Sequence, residues 1–232
     1  YAFRNTVYMA LLNLTLGFII PVILGLLISQ VRNKRTSRVV QTTTYMPYFV
    51  APVVVCTLAK EFLKEGGAIT MFLTMFGLPN QNWLAVNSPV FWFINCFLGI
   101  WQGAGYGAIV YIAAINGIDQ NLYEAACIDG ASRWQRLWNI TIPSIVPLVV
   151  MMFTMQIGLV FMTGFDKVLL LYMPTTYEFS DCLSTYTYRM AFSAGNDFSL
   201  STASGLLQSI IGTLLLIFGN KMSEKATKMS LF

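Results

Sequence analysis

The sequence predicts an all-α membrane protein, a helical bundle of five spans, and two observations carry that fold class. Apolar residues make up 56% of the chain and charged residues only 10%, against about 25% charged in ordinary soluble domains. Five stretches are also long enough to cross a bilayer, which takes about 20 apolar residues in a helix. They run near 6–31, 44–63, 89–115, 144–165 and 202–220. One membrane domain over 1–232 is the economical organisation, with a loop at 119–143 on one side and loops at 64–88 and 166–200 on the other.

Each span has its own character. The second is the weakest, since it carries Pro47, Pro52 and a charged end at Lys60 and Glu61. Prolines tolerated at membrane depth predict a kinked helix packed among neighbours. The 60–88 segment, with Gly66, Gly67, a short apolar run at 69–76 and Trp83, reads as an interfacial helix. On the third span, Asn95, Gln102 and Tyr106 are separated by seven and four residues, so they share one helical face. Gly99, Gly103 and Gly107 repeat every four residues beside it, a small-residue stripe that predicts close approach of another helix. Gln156 lies deep in the fourth span with Met152, Leu159 and Thr163 on its side, and Ser201, Gly205, Gln208 and Gly212 form a comparable face on the fifth.

These amide and hydroxyl faces have two readings. They line a wet cavity together, or they bond helix to helix across the bundle. A sugar suits such a cavity, because its hydroxyls want amide partners and its C–H faces stack on aromatic rings. An ion path would want charges or carbonyl rings instead. The 164–200 segment mixes aromatics (Phe165, Tyr172, Tyr177, Phe179, Tyr186, Tyr188, Phe192, Phe198) with Asp166, Glu178, Asp181, Arg189 and Asp197. It reads either as interfacial aromatics anchoring helix ends or as a docking face for another protein.

The loop EAACIDGASRWQRLWNITIP at 124–143 is the most informative stretch. Apolar spans flank it, yet Glu124, Asp129, Arg133 and Arg136 require it to lie in water. It reads as two short helices broken at a glycine. Asn121 with Glu124 predicts one capping box and Ser132 with Gln135 a second. Gly130 supplies a left-handed stop after Asp129. Ala125 and Ala126 leave a low-relief face that a partner backbone can approach. A capped helix-turn-helix between spans suits transmitting force better than chemistry.

That loop resembles the cytoplasmic coupling loop of type I ABC importer permeases, EAA-x3-G-x9-I-x-LP. Glu124, Ala125, Ala126, Gly130, Ile140 and Pro143 fall at matching positions, with Ile142 where the motif has leucine. The fuller text, with TYMPYFVAPVVV at 44–55, GFDKVLLLYMP at 164–174 and YTYRMAFSAGNDFSLSTASGLL at 186–207, is similar to the carbohydrate-importer branch of maltose-permease and LplB-like kind. The resemblance covers most of the chain. Asp119 departs from a frequent proline, and Thr70 from an asparagine common after the double glycine.

The resemblance implies a permease subunit that takes up a carbohydrate, within that class an oligosaccharide, by alternating access. Glu124, Ala125, Ala126, Asp129, Gly130, Ile140 and Pro143 would couple it to ATPase subunits, while Asn95, Gln102, Tyr106, Gln156 and Gln208 are the substrate-path candidates. Implied partners are a second, homologous permease, two ATPase subunits, an extracellular solute-binding lipoprotein and the bilayer. ATP and Mg would sit on the ATPases, with no cofactor on this chain. The alternatives are a permease for a non-sugar solute and a secondary carrier.

With the coupling loop inside, nine of the 14 Lys and Arg residues fall on inner segments and five on outer ones. That bias places the N-terminus outside and the C-terminus in the cytoplasm. Tyr1 is not an initiator methionine and the family commonly has one more span ahead, so a first helix is expected to be missing. The net charge of +4 needs no nucleic acid to explain it. Histidine is absent, which removes His-based catalysis and metal clusters, and no G-x-x-x-x-G-K-[ST] loop is present to make the chain an ATPase. Cys56, Cys96, Cys127 and Cys182 read as free thiols. The carboxylates lie in loops, whereas ion-coupled carriers keep ionisable groups at membrane depth.

Overall fold

A backbone surrounded by lipid must satisfy its N–H and C=O groups internally, so apolar stretches of this length close into helices. The computed structural model describes residues 1–161, 164–192 and 197–227, with side chains as far as Glu224, and these residues contain no strand. The helix α1 (Ala2–Ser29) comes first, with one π-helical stretch at Asn13–Gly17. Next, α2 (Lys34–Phe49) and α3 (Pro52–Leu63) are followed by a short α4 (Ala68–Thr74). The long α5 (Val90–Asn116) leads to α6 (Gln120–Ile128) and α7 (Arg133–Leu159). Then come α8 (Phe165–Leu171), α9 (Leu183–Phe192) and α10 (Phe198–Thr227). Thr163, expected on the polar side of the fourth span, lies outside the described residues, as do residues 193–196 of the 164–200 loop.

Four of these helices, α1, α5, α7 and α10, are long and apolar enough to cross a membrane. The second span is more than kinked: α2 and the helical stretch that begins at Pro52 are bent by 93°. The cause is local. Proline disfavours helical geometry in the residue before it, and Val50 and Ala51 adopt ψ of 127° and 139°. The break frees the Val50 carbonyl, which accepts a hydrogen bond from Gln102 Nε2 on α5 at 2.7 Å.

At the centre of the bundle is α5. Of its most apolar stretch 39% is buried, against 17%, 17% and 11% for α1, α7 and α10. Its close contacts differ from those the glycine stripe predicts. A Cβ on Gly105 would lie 2.0 Å from the Thr44 carbonyl oxygen, so this is where the α2 backbone lies on α5. Gly103, on the expected stripe, has nothing within 4 Å of such a Cβ, and Gly99 has only Lys167 Nζ at 3.8 Å. Gly107 alone meets a neighbouring span, at Pro21. The stripe is mostly an open face, because the neighbouring helices are held off it.

Beyond the end of α5 opposite α6, a polar clamp ties α1 to the 164–200 loop. Asn5 is fully buried and its amide donates to the carbonyls of Glu178 and Asp181 at 3.0 and 2.8 Å. Arg4 donates to Glu178 O at 2.7 Å and lies over the Phe179 ring. Asp181 is buried and paired with Arg189 at 2.6 Å. Beneath them Phe91, Leu84, Val168 and Leu171 form an apolar core with Cys56 and Cys182. All four cysteines are free, and burial pushes the Cys182 thiol above its ordinary pKa, keeping it protonated at neutral pH. Much of this loop is therefore a packed cap, and Tyr188, Phe192 and Phe198 are its exposed aromatics.

The two kinds of glycine on α5 give a direct test. Gly105→Ala should overpack the α2 contact, costing about 1–3 kcal/mol, and lower the thermal unfolding midpoint by several degrees in mild detergent. Gly103→Ala should leave the midpoint unchanged or slightly raised. Equal losses in both variants would contradict this packing.

Candidate functional site

The 119–143 loop folds as a capped helix-turn-helix. Asp119 caps α6 by accepting from Asn121 N at 3.0 Å. The expected box between Asn121 and Glu124 does not form, because Asp119 is an equally good cap two residues earlier and the helix starts at Gln120. Glu124 then stands past the free amides of the first turn, exposed on the helix surface. Gly130 takes φ +75°, and the Ala131 N–H bonds the Ala126 carbonyl at 2.9 Å, the six-to-one closure of a Schellman end. The Ser132–Gln135 box is complete, with contacts of 3.3 and 2.7 Å.

Two side-chain contacts fasten this unit to the base of α7. The Tyr123 hydroxyl bonds Thr141 Oγ1 at 2.8 Å, and Arg136 Nη1 reaches Cys127 Sγ at 2.7 Å. Glu124, Ala125, Asp129 and Gly130 are exposed, Ala126 is half-buried, and Ile140 and Pro143 lie where α7 enters its apolar part. Ile128 and Trp134 belong to the same surface, with 87% and 70% of their area uncovered. The sequence contained the signal for both, since large apolar side chains stand in a loop that must lie in water.

The polar side chains of the spans divide into two groups. Asn95 and Gln156 meet at a cavity of ≈ 320 Å³ whose wall includes Gly99, Gly103, Gly107 and Lys167. Asn95 is buried; its amide makes a long contact to Met9 Sδ at 3.5 Å, and its Oδ1 has no partner. Beyond it a second cavity of ≈ 560 Å³ is lined by Tyr48, Pro52, Gln102, Asp166 and Lys167. Gln102 touches this wall but spends its N–H on Val50. Tyr106 is 47% exposed and stacks on Tyr48 with ring centroids 3.9 Å apart.

Gln208 lines neither cavity. It accepts from Ser184 and donates to Thr187, both at 3.1 Å, while Ser201 donates to the Thr187 carbonyl at 3.1 Å. That face of α10 bonds α9. Gly212 on the same helix sits against the Gly158 carbonyl, 2.9 Å from where its Cβ would be.

Lys167 was not singled out by its sequence context. Carried on α8, it borders both cavities, and among the described residues its Nζ has no hydrogen-bond or ion-pair partner. Exposed Asp166 lines the second cavity beside it.

Comparisons with known proteins identify the family of this chain. Residues 17–228 match the family described as binding-protein-dependent transport system inner membrane component. The polygalacturonan/rhamnogalacturonan transport system permease protein YteP of Bacillus subtilis is 35% identical over 96% of this chain and 69% of its own length. Protein LplB of the same organism is 33% identical over 99% of this chain and 72% of its own length. A chain in the crystal structure of a bacterial alginate ABC transporter, in complex with its alginate pentasaccharide-bound periplasmic protein, superposes with a TM-score of 0.92. It is 37% identical, over 99% of this chain and 80% of that one. The described helices and these matches together make this multi-pass chain a member of the binding-protein-dependent transport system inner membrane components.

Proposed function

We propose that the chain is the membrane-spanning subunit of an ATP-driven importer that takes up an oligosaccharide by alternating access. The observation that carries the coupling half is the exposure of Ala125, Ile128 and Trp134 on a capped loop. Burying a side chain such as Ile128 or Trp134 against a partner is worth about 1.5–3 kcal/mol, and among the described residues both stand largely uncovered. An ATPase subunit, carrying the ATP and Mg this chain has no motif for, is the expected occupant. A second, homologous permease would close the path, and an extracellular solute-binding lipoprotein would deliver the substrate. The coupling loop faces the cytoplasm, with Tyr1 outside, as the bias of basic residues supports.

The substrate half rests on the cavity along α5. Amides and an aromatic ring suit sugar hydroxyls and C–H faces, and the glycine wall leaves room for a ring. One observation favours an acidic oligosaccharide over a neutral one. Lys167, which among the described residues has no hydrogen-bond or ion-pair partner although Asp166 lies beside it, brings a cation to both cavities, and an ionisable group in such a place marks a substrate path more often than packing. Polygalacturonan and alginate, named for two of the relatives, are polymers of uronic acids.

Two outcomes test this reading. Ala125→Trp should leave insertion and assembly intact but uncouple ATP hydrolysis from uptake in reconstituted vesicles, lowering uptake at least about tenfold; uptake at the normal rate would count against docking at this face. Lys167→Gln should weaken transport of a uronate oligosaccharide about tenfold, the scale of a lost hydrogen bond to a charged group. A neutral oligosaccharide of equal length should change less than twofold. Equal losses for both sugars would remove the acidic reading and leave the coupling role untouched.

A further inference from the structure

The coupling-loop end of the bundle holds another cavity, of ≈ 380 Å³, that the transport reading does not use. Arg32 enters it from the chain just beyond α1, Asn116 from the end of α5, Tyr123 from α6, and Arg133, Arg136 and Thr141 from α7. Three arginines line this cavity, and no Asp or Glu is among its lining residues. Arg136 Nε is buried without a hydrogen-bond partner, although its Nη1 reaches Cys127 Sγ. A buried donor left unmade costs about 1–3 kcal/mol, and more when the group is charged. Guanidinium cannot shed its charge to escape that cost.

A general excess of inner basic residues explains arginines on the surface. It does not explain three converging on one concavity with a buried N–H left over. Guanidinium forks fit the oxygens of a tetrahedral oxyanion in paired hydrogen bonds, and the Tyr123 and Thr141 hydroxyls, bonded to each other at 2.8 Å, stand on the same wall. We propose that this cavity binds a phosphate-bearing anion through Arg32, Arg133 and Arg136. Its position gives the binding a consequence. An anion held there ties the end of α1 to the second helix of the coupling loop, and its occupancy sets how stiffly the loop follows the spans.

Two sources supply such a group: the headgroup of an anionic phospholipid and free phosphate. The test uses the full chain in mild detergent, with the subunits that accompany it, and reads the thermal midpoint during titration. The probes are short-chain phosphatidylglycerol, short-chain phosphatidylcholine and inorganic phosphate. Saturable stabilisation by phosphatidylglycerol alone assigns the site to lipid, and equal saturation by inorganic phosphate assigns it to the free anion; either supports the proposal. Arg136→Gln and Arg32→Gln should each weaken the apparent affinity about tenfold, or about 1.4 kcal/mol. Arg32 is exposed past a helix end, so its variant guards against misfolding at Arg136. Arg38, exposed on α2 and outside the cavity lining, is the control and should change affinity less than twofold as Arg38→Gln. No saturation by either anion, equal saturation by phosphatidylcholine, or a loss in Arg38→Gln matching that in Arg136→Gln would overturn the proposal.

Discussion

Within lipid a carbonyl without a donor costs several kcal/mol, and at Val50 the chain meets that constraint through one side chain. Pro52 forces the break, Gln102 supplies the missing donor at 2.7 Å, and the second span turns through 93° instead of running straight. Much of the arrangement around α5 follows. The α2 backbone is drawn onto α5 at Gly105, where only a glycine leaves room for the Thr44 carbonyl. The break residues Tyr48 and Pro52 become cavity wall facing Lys167. Two positions along the helix, Gly103 stays open. The same residue type thus makes the tightest contact on α5 and one of its emptiest faces.

At the other end, rigidity is set by backbone closure more than by burial. Asp119, Gly130 and the Ser132–Gln135 box satisfy the ends of two short helices, and the outer surface keeps Ile128 and Trp134 uncovered among exposed charged residues. The Tyr123–Thr141 bond and the Arg136–Cys127 contact join that surface to the first turns of α7. In the proposed coupling role, a push on Ile128 or Trp134 would reach a transmembrane helix through these two contacts. The cavity bounded by Arg32, Arg133 and Arg136 lies at this joint.

The helical membrane class was legible because lipid leaves the backbone few choices and because composition records burial in lipid directly. The Gly130 turn and the Ser132 box were legible too, since both depend on residues within a few positions. The cap at Asp119 was missed because two good capping residues, Asp119 and Asn121, compete, and local pattern does not rank them. The glycine stripe illustrates a deeper limit. Periodicity identifies a face of α5 without side chains, but whether a helix or a void lies opposite depends on α1, α7 and α8, which are distant in sequence. The amides divide for the same reason: Gln102 and Gln208 found backbone or hydroxyl partners across the bundle, while Asn95 kept an unpaired oxygen at the cavity. Lys167 lay within the GFDKVLLLYMP resemblance, but its place at the cavity had no signal of its own, since only the fold brings α8 to the glycine face.

The central claim is that the open glycine face of α5 borders the path through the membrane. A single cysteine at Gly103, in the assembled importer with its four native cysteines replaced, measures this through its rate of reaction with a small hydrophilic thiol reagent. Fast labelling in the resting state, slowed at least about tenfold by substrate or by nucleotide trapped with vanadate, is the predicted result. A cysteine equally inert in every state would mean that the face is sealed against lipid or a neighbouring helix, and the path would have to lie elsewhere.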